Sequence, residues 1–121
     1  MLVPVKIVYV YQKCSTCRDA LKWLDAHGIE HRIRAIRETP PSVAELRAAL
    51  AASGGELKRL INTSGNDYRA LGLKDKLPSL TDDEVLALLS QNGNLVKRPF
   101  LMGDGVILNG FKPDVWKKAI G

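Results

Sequence analysis

The sequence predicts an α/β fold with the element order β-α-β, a helical insert, and then β-β-α. Three observations predict it. The N-terminal third has the pattern of strand, helix and strand; residues from about 42 to 92 carry helical patterns and no convincing strand; and the C-terminal end has the pattern of a hairpin and a helix. We expect residues 1–121 to form one domain, because a chain of 121 residues can bury its own core.

The N-terminal segment has the pattern of a βαβ unit. The run KIVYVY at residues 6–11 is β-branched and aromatic, which is typical of a buried central strand. The next segment has an apolar helical face formed by Cys17, Ala20, Leu21 and Leu24. We expect this helix to end at His27-Gly28. The alternation in EHRIRAIR, residues 30–37, indicates a half-exposed strand, so the first two strands are predicted to be parallel.

Capping and turn residues define the remaining elements. Residues 42–45 and 81–84 each place Ser or Thr three positions before Glu, the capping-box pattern that begins a helix. Between two apolar runs, the Gly-Asp-Gly at 103–105 predicts the turn of a hairpin. A last helix follows, with Pro113 in its first turn.

Cys14 and Cys17 are the only two cysteines of the chain. If the helix begins near Ser15, Cys14 lies at its N-terminal tip, where free N–H groups and a partial positive charge favour thiolate. Lys13 and Arg18 add positive charge nearby, so we expect a lowered pKa for Cys14. Cys17 lies in the first turn and should be more buried. This arrangement suits an attacking thiol and a resolving thiol, respectively.

Two other interpretations of the cysteine pair stay open at this point. The cysteines could be small packed hydrophobes, although a C-x-x-C directly after the first strand of a βαβ unit is a typical redox context. A zinc site would need four ligands, and the chain has no second cysteine pair. His27 and His31 are expected to be surface residues, and no metal site is predicted.

A basic pair precedes the C-terminal hairpin in the sequence LVKRPF. Pro99 cannot donate to a sheet ladder, so it belongs at the start of a strand. In redox folds of this element order, a proline at this position often has a cis peptide bond and faces the cysteines. By that analogy Arg98 points towards Cys14, where a guanidinium could bind an oxyanion through two parallel hydrogen bonds.

The backbone N–H groups of Ser15, Thr16 and Cys17 would complete an anion-binding site with Arg98. The alternative for Arg98 is a solvated surface charge. The alternative for Ser15 and Thr16 is an ordinary helix-capping role.

These motifs resemble the ArsC/Spx family, which contains thioredoxin-like arsenate reductases and the Spx and MgsR transcriptional regulators. The segments KCSTCRDAL, LINTSGNDYRALGL, LVKRPFLMGDG and GFKPDVW occur in the order of the family. The resemblance implies a thioredoxin-like four-stranded mixed sheet with a helical insert, and a structural role for Pro99 as a cis proline.

The resemblance also implies site residues. In the glutaredoxin-linked arsenate reductases, a cysteine at the position of Cys14 attacks arsenate, and three arginines surround the oxyanion. Arg98 matches one arginine, and Lys112 stands at the second, where it keeps the charge but loses the bidentate geometry. At the third position this sequence has the uncharged Asn62 or Thr63.

Cys17 has no counterpart in those reductases, and the C-x-x-C instead resembles the Spx-type switch, with a reversible Cys14–Cys17 disulfide. Two functions are therefore expected: a thiol-dependent oxidoreductase, or a redox-sensing regulator that binds the RNA polymerase α subunit. Neither requires a bound cofactor. The oxidoreductase needs a thiol donor, either glutathione with glutaredoxin or thioredoxin.

Composition excludes several other classes. The net charge of +5 is spread along the chain, without a dense basic run interleaved with aromatics, so direct nucleic-acid binding is not expected. No segment approaches the ~20 apolar residues of a membrane span. The start of the chain lacks a basic leader and a small-residue cleavage site, so we expect a cytoplasmic protein, and we expect a monomer.

Overall fold

The computed structural model describes residues 6–121, which contain a four-stranded mixed sheet. Its strands are β1 (Lys6–Val10), β2 (His31–Ala35), β3 (Phe100–Gly103) and β4 (Val106–Asn109). The strand order is β2-β1-β3-β4, with β2 parallel to β1 and the β1–β3 and β3–β4 pairs antiparallel. The predicted thioredoxin-like mixed sheet is therefore confirmed.

The described residues form six α-helices and three 3-10 turns. The α-helices are α1 (Ser15–Ala26), α2 (Val43–Ala52), α3 (Asn66–Ala70), α4 (Leu73–Lys76), α5 (Asp82–Gln91) and α6 (Pro113–Ile120). The 3-10 turns are Leu57–Leu60, Leu77–Ser79 and Gly93–Leu95. Within residues 6–121, none of the helices is both long and apolar enough to cross a membrane.

The chain divides into two units. The first contains the sheet with α1 and α6, and its described part is residues 6–35 and 98–121. The second, Ile36–Lys97, contains α2 to α5 and corresponds to the predicted helical insert at about 42–92, with wider bounds. The expectation that residues 1–121 form one domain stays a prediction.

The core of the first unit lies between one face of the sheet and the two helices α1 and α6. Its buried members are Val8, Val10, Cys17, Ala20, Leu24, Leu101 and Trp116. Three of the four positions on the predicted apolar face of α1 are buried, and Leu21 is partly buried against the same cluster. The indole Nε1 of Trp116 donates to the carbonyl of Gly110 at 3.1 Å, so its one polar atom is satisfied. This packing fixes α1, and with it the position of both cysteines.

The strand β2 is more exposed than its sequence pattern predicts. Ile33 is 57% exposed, and Ala35 is exposed as well. The reason is the strand order, in which β2 is an edge strand that pairs with β1 alone. An alternating sequence therefore does not guarantee that its apolar side is covered.

Both predicted capping boxes are present in the second unit. Ser42 accepts from the backbone of Glu45 at 3.1 Å, and the Glu45 carboxylate accepts from the backbone of Ser42 at 2.9 Å. Thr81 and Glu84 make the same reciprocal pair at 3.2 and 3.0 Å. These bonds satisfy backbone N–H groups that have no partner inside the helix, which is why α2 and α5 begin where the sequence predicts.

Gly93 is required by a close approach between two segments of the second unit. A Cβ atom at this position would lie 1.8 Å from the carbonyl oxygen of Ile36. We predict that Gly93→Ala lowers the free energy of unfolding by roughly 2–3 kcal/mol, because the backbone must move to relieve the overlap. Urea unfolding followed by circular dichroism measures the change.

Gly28→Ala is the matched control. Gly28 has a φ of +64°, but a Cβ atom there would meet nothing within 4 Å. This variant should lose only about 1 kcal/mol, the cost of the left-handed conformation. A Gly93→Ala protein as stable as the control would show that the close approach is wrong.

Candidate active site

Cys14 lies at the turn between β1 and α1. It is the N-cap residue of α1, its backbone N–H donates to the carbonyl of Tyr11 at 2.9 Å, and its own carbonyl accepts from Arg18 at 3.1 Å. Cys14 is partly exposed, whereas Cys17 is fully buried, and both are free thiols. The predicted start of the helix near Ser15 is confirmed, and it leaves one thiol partly exposed to solvent and the other buried.

The pKa values of the two thiols move in opposite directions. Burial raises the pKa of Cys14, but the backbone N–H of Cys17, the Cys17 thiol and the guanidinium of Arg98 together outweigh burial and lower it. For Cys17, burial is the largest influence and raises the pKa to about 12, with a further increase from Cys14. Cys14 is therefore favoured as the thiolate, and Cys17 stays protonated at neutral pH.

Arg98 provides the charge that reaches Cys14. Its Cζ atom lies 4.9 Å from the centre of the Tyr11 ring, and the Arg98–Pro99 peptide bond is cis, as the family resemblance implies. Within residues 6–121, the Nη1 atom of Arg98 is buried and has no hydrogen-bond partner. Buried polar atoms without a partner are rare and cost about 1–3 kcal/mol, so this nitrogen is suited to an anionic ligand.

The strand register explains how Arg98 reaches the cysteines from a distant part of the sequence. In the antiparallel pair of β1 and β3, Val8 faces Leu101 and Tyr9 faces Phe100. Tyr11 follows the end of β1 and Arg98 lies just before the start of β3, so the antiparallel pairing puts both residues at the same end of the strand pair. The sheet therefore brings a residue from the far end of the sequence to the turn that carries Cys14.

The other predicted anion-binding residues are more peripheral. Ser15 and Thr16 are exposed in the first turn of α1, and Cys14, not either of them, is the N-cap residue. Lys112 is exposed and is the N-cap residue of α6. The groups that lower the pKa of Cys14 come from Cys17 and Arg98, and Lys112 is not among them. A role for these three residues in anion binding stays a prediction.

The uncharged residues that replace a family arginine belong to the second unit. Asn62 donates from its side-chain amide to the carbonyl of Asn94 at 3.2 Å, and Thr63 is exposed. Asn62 therefore has a structural bond of its own inside the insert.

The two histidines make local backbone contacts. His27 is exposed and donates from Nδ1 to the carbonyl of Trp23 at 2.8 Å. His31 is partly buried and donates to Ile29 at 2.8 Å, so the expectation of a surface position holds fully only for His27. In the part of the chain that the structure describes, no group of three or more potential metal ligands is gathered.

The sheet order, the helix that begins at C-x-x-C and the cis proline together define a thioredoxin-like protein. The sequence model of the ArsC family matches residues 9–119 of this chain. The chain therefore belongs to the ArsC family.

Relatives in this family carry different names. The uncharacterized protein YusI of Bacillus subtilis (strain 168) is 46% identical and spans 91% of this chain and 93% of its own length. An arsenate reductase of Rhizobium meliloti (strain 1021) is 35% identical, and the match covers 78% of this chain and 66% of that protein. The regulatory protein MgsR of Bacillus subtilis (strain 168) is 30% identical, and the match covers 87% of this chain and 82% of that protein. The family thus includes a named reductase and a named regulator.

A solved structure supports the fold over nearly the full chain. A putative ArsC family related protein from Bacteroides fragilis has a TM-score of 0.87 and 44% identity, and the match covers 93% of this chain and 95% of that one.

Arg98 should control the acidity of Cys14. With Cys17→Ala as the background, which prevents disulfide formation, we predict that the rate of iodoacetamide alkylation rises with pH through a single midpoint, because thiolate is the reacting form. Arg98→Ala should move the midpoint to higher pH, since it removes the cation that favours thiolate. Mass spectrometry of the alkylated protein at each pH gives the rates.

Arg18→Ala is the matched control, because Arg18 is closer to Cys14 in sequence but exposed. It should leave the midpoint almost unchanged. An equal shift in both variants would show that Arg98 has no special relation to Cys14.

Proposed function

We propose that this protein is a thiol-dependent oxidoreductase of the arsenate reductase-like type. One observation is the main support for this proposal. The thiols of Cys14 and Cys17 have pKa values shifted in opposite directions, and the nearby Arg98 guanidinium has a buried nitrogen without a hydrogen-bond partner. That combination supplies a nucleophile, a second thiol and a partner for negative charge. The similarity to a relative named arsenate reductase supports the same chemistry.

The first proposed step is attack of the Cys14 thiolate on the arsenic of arsenate. An S–As bond forms and an As–O bond breaks, and the departing oxygen takes up protons and leaves as water. Arg98 and the N–H groups at the start of α1 stabilise the negative charge of the oxyanion during this step. Lys112 is proposed as a second, more distant cation.

The second proposed step uses Cys17. Its thiol loses a proton and attacks the sulfur of Cys14, so an S–S bond forms while the S–As bond breaks. The bonding pair stays on arsenic, which is reduced by two electrons to arsenite, while the two thiols are oxidised to a disulfide. Thioredoxin, or glutathione with glutaredoxin, returns two electrons and restores both thiols.

The second candidate function is a redox-sensing regulator of the Spx/MgsR kind. The observation that favours it is the pair of cysteines together with 30% identity to MgsR. In that function the Cys14–Cys17 disulfide is the signal, and its formation changes binding to the RNA polymerase α subunit without turnover. Both proposals place a monomeric protein in the cytoplasm, without direct contact to nucleic acid.

Coupled turnover should depend on Cys14 and arsenate. NADPH oxidation at 340 nm, with arsenate and either the thioredoxin or the glutathione–glutaredoxin system, should fall by at least about a hundredfold in Cys14→Ser, which lacks the nucleophile. Cys17→Ser should lose turnover with thioredoxin, because no internal disulfide forms.

A different pattern would contradict the reductase. If thioredoxin reduces the oxidised protein but arsenate adds nothing to NADPH consumption, arsenate is not the substrate. Binding of the oxidised and reduced forms to the purified RNA polymerase α C-terminal domain then tests the regulator, which requires a difference between the two forms.

A further inference from the structure

Tyr11 contacts each of the three groups of the candidate active site. Its ring lies under the guanidinium of Arg98, with 4.9 Å between Cζ and the ring centre. Its backbone carbonyl accepts the N–H of Cys14 at 2.9 Å. Its backbone also acts on the thiol of Cys17 and lowers its pKa, against the larger effect of burial. The sequence pattern predicts that this residue lies inside a buried strand, but β1 ends at Val10.

The ring of Tyr11 is a suitable support for a cation that must bind an anion. An aromatic face attracts a guanidinium through its π electrons and leaves the N–H donors in the guanidinium plane available. A carboxylate in the same place would neutralise the charge and occupy those donors. Among the ion pairs of residues 6–121, none includes Arg98.

The Nη1 atom of Arg98, which is buried without a hydrogen-bond partner, indicates that the Tyr11 ring holds the guanidinium in place. A free guanidinium would turn its polar atoms towards water, because burying a donor without a partner is costly. Here one nitrogen stays buried while the ring of Tyr11 covers the guanidinium from one side. The antiparallel pairing of β1 and β3 puts the two residues at the same end of the strand pair before any ligand arrives.

We propose that Tyr11 is a positioning residue that holds the Arg98 guanidinium ready for a tetrahedral oxyanion bound next to Cys14. The identity of that ligand class rests on the proposed function. The ring acts through Arg98 and does not touch the oxyanion itself. Its removal should therefore weaken anion binding only as long as Arg98 is present.

Sulfate is the probe, because it is a tetrahedral oxyanion that thiols do not reduce under these conditions. Its affinity is measured as protection of Cys14 from iodoacetamide in the Cys17→Ala protein. Tyr11→Leu should weaken sulfate binding about five- to tenfold, within the range of a partly buried cation–π contact. Tyr11→Phe keeps the ring and should stay within about twofold of the parent.

The double variant Tyr11→Leu with Arg98→Ala separates positioning from a general structural effect. Sulfate binding in it should equal that of Arg98→Ala alone, because the ring acts only through the guanidinium. Tyr11→Met serves as a second ring-less variant, and urea unfolding confirms that each protein is folded.

Three outcomes would overturn the inference: no protection of the parent by sulfate, unchanged affinity in both ring-less variants, or a further loss in the Arg98→Ala background. The proposed function can fail separately. Sulfate binding with the expected Tyr11 pattern but no arsenate turnover would retain the positioning role and reject the reductase. Arsenate turnover together with sulfate binding that does not change in the Tyr11 variants would retain the reductase and reject the positioning role.

Discussion

A guanidinium held against a thiol at the start of a helix is the interaction on which this site depends. The helix N-terminus offers Cys14 a partial positive charge and free N–H groups, while burial of the thiol works against ionisation. The full positive charge of Arg98 favours the thiolate and helps to lower the pKa of Cys14. The antiparallel pairing of β1 and β3 makes this possible, because it brings the turn after β1 and the residues just before β3 to the same end of the strand pair.

The division of labour between the cysteines follows from the same geometry. Cys14 caps α1 and is partly exposed, whereas Cys17 lies in the first turn and packs among core residues such as Val8 and Leu24. Burial raises the pKa of the Cys17 thiol and keeps it protonated at neutral pH. One turn of helix thus separates a partly exposed thiol from a buried thiol, and the packing of α1 against the sheet maintains this difference in exposure.

The sequence alone was sufficient to predict features that depend on interactions between residues close together in the chain. The strand-helix-strand order, the start of α1 at Ser15, the two capping boxes and the hairpin turn at Asp104 all follow from short patterns, and the structure confirms them. In each case the deciding interactions lie within a few residues of one another. The family resemblance added the sheet topology and the cis bond at Pro99, which short patterns could not supply.

Features that depend on long-range packing were not accessible in this way. The contact of the Arg98 guanidinium with the Tyr11 ring joins residues far apart in the sequence, and it requires the pairing of β1 with β3. The exposure of Ile33 depends on which strand forms the edge of the sheet, and the need for glycine at position 93 depends on the path of Ile36. Lys112 is exposed, and its assignment to the site from the family resemblance stays a prediction.

The most direct test of the account is the stoichiometry of the reaction with 5,5′-dithiobis(2-nitrobenzoate) at neutral pH. If Cys14 attacks and Cys17 resolves, the reduced protein releases two equivalents of thionitrobenzoate and ends as an internal disulfide without an adduct. Cys17→Ala should then release one equivalent and retain an adduct on Cys14, as intact-mass spectrometry would show. An adduct that persists in the unchanged protein, or that forms first on Cys17, would contradict the account.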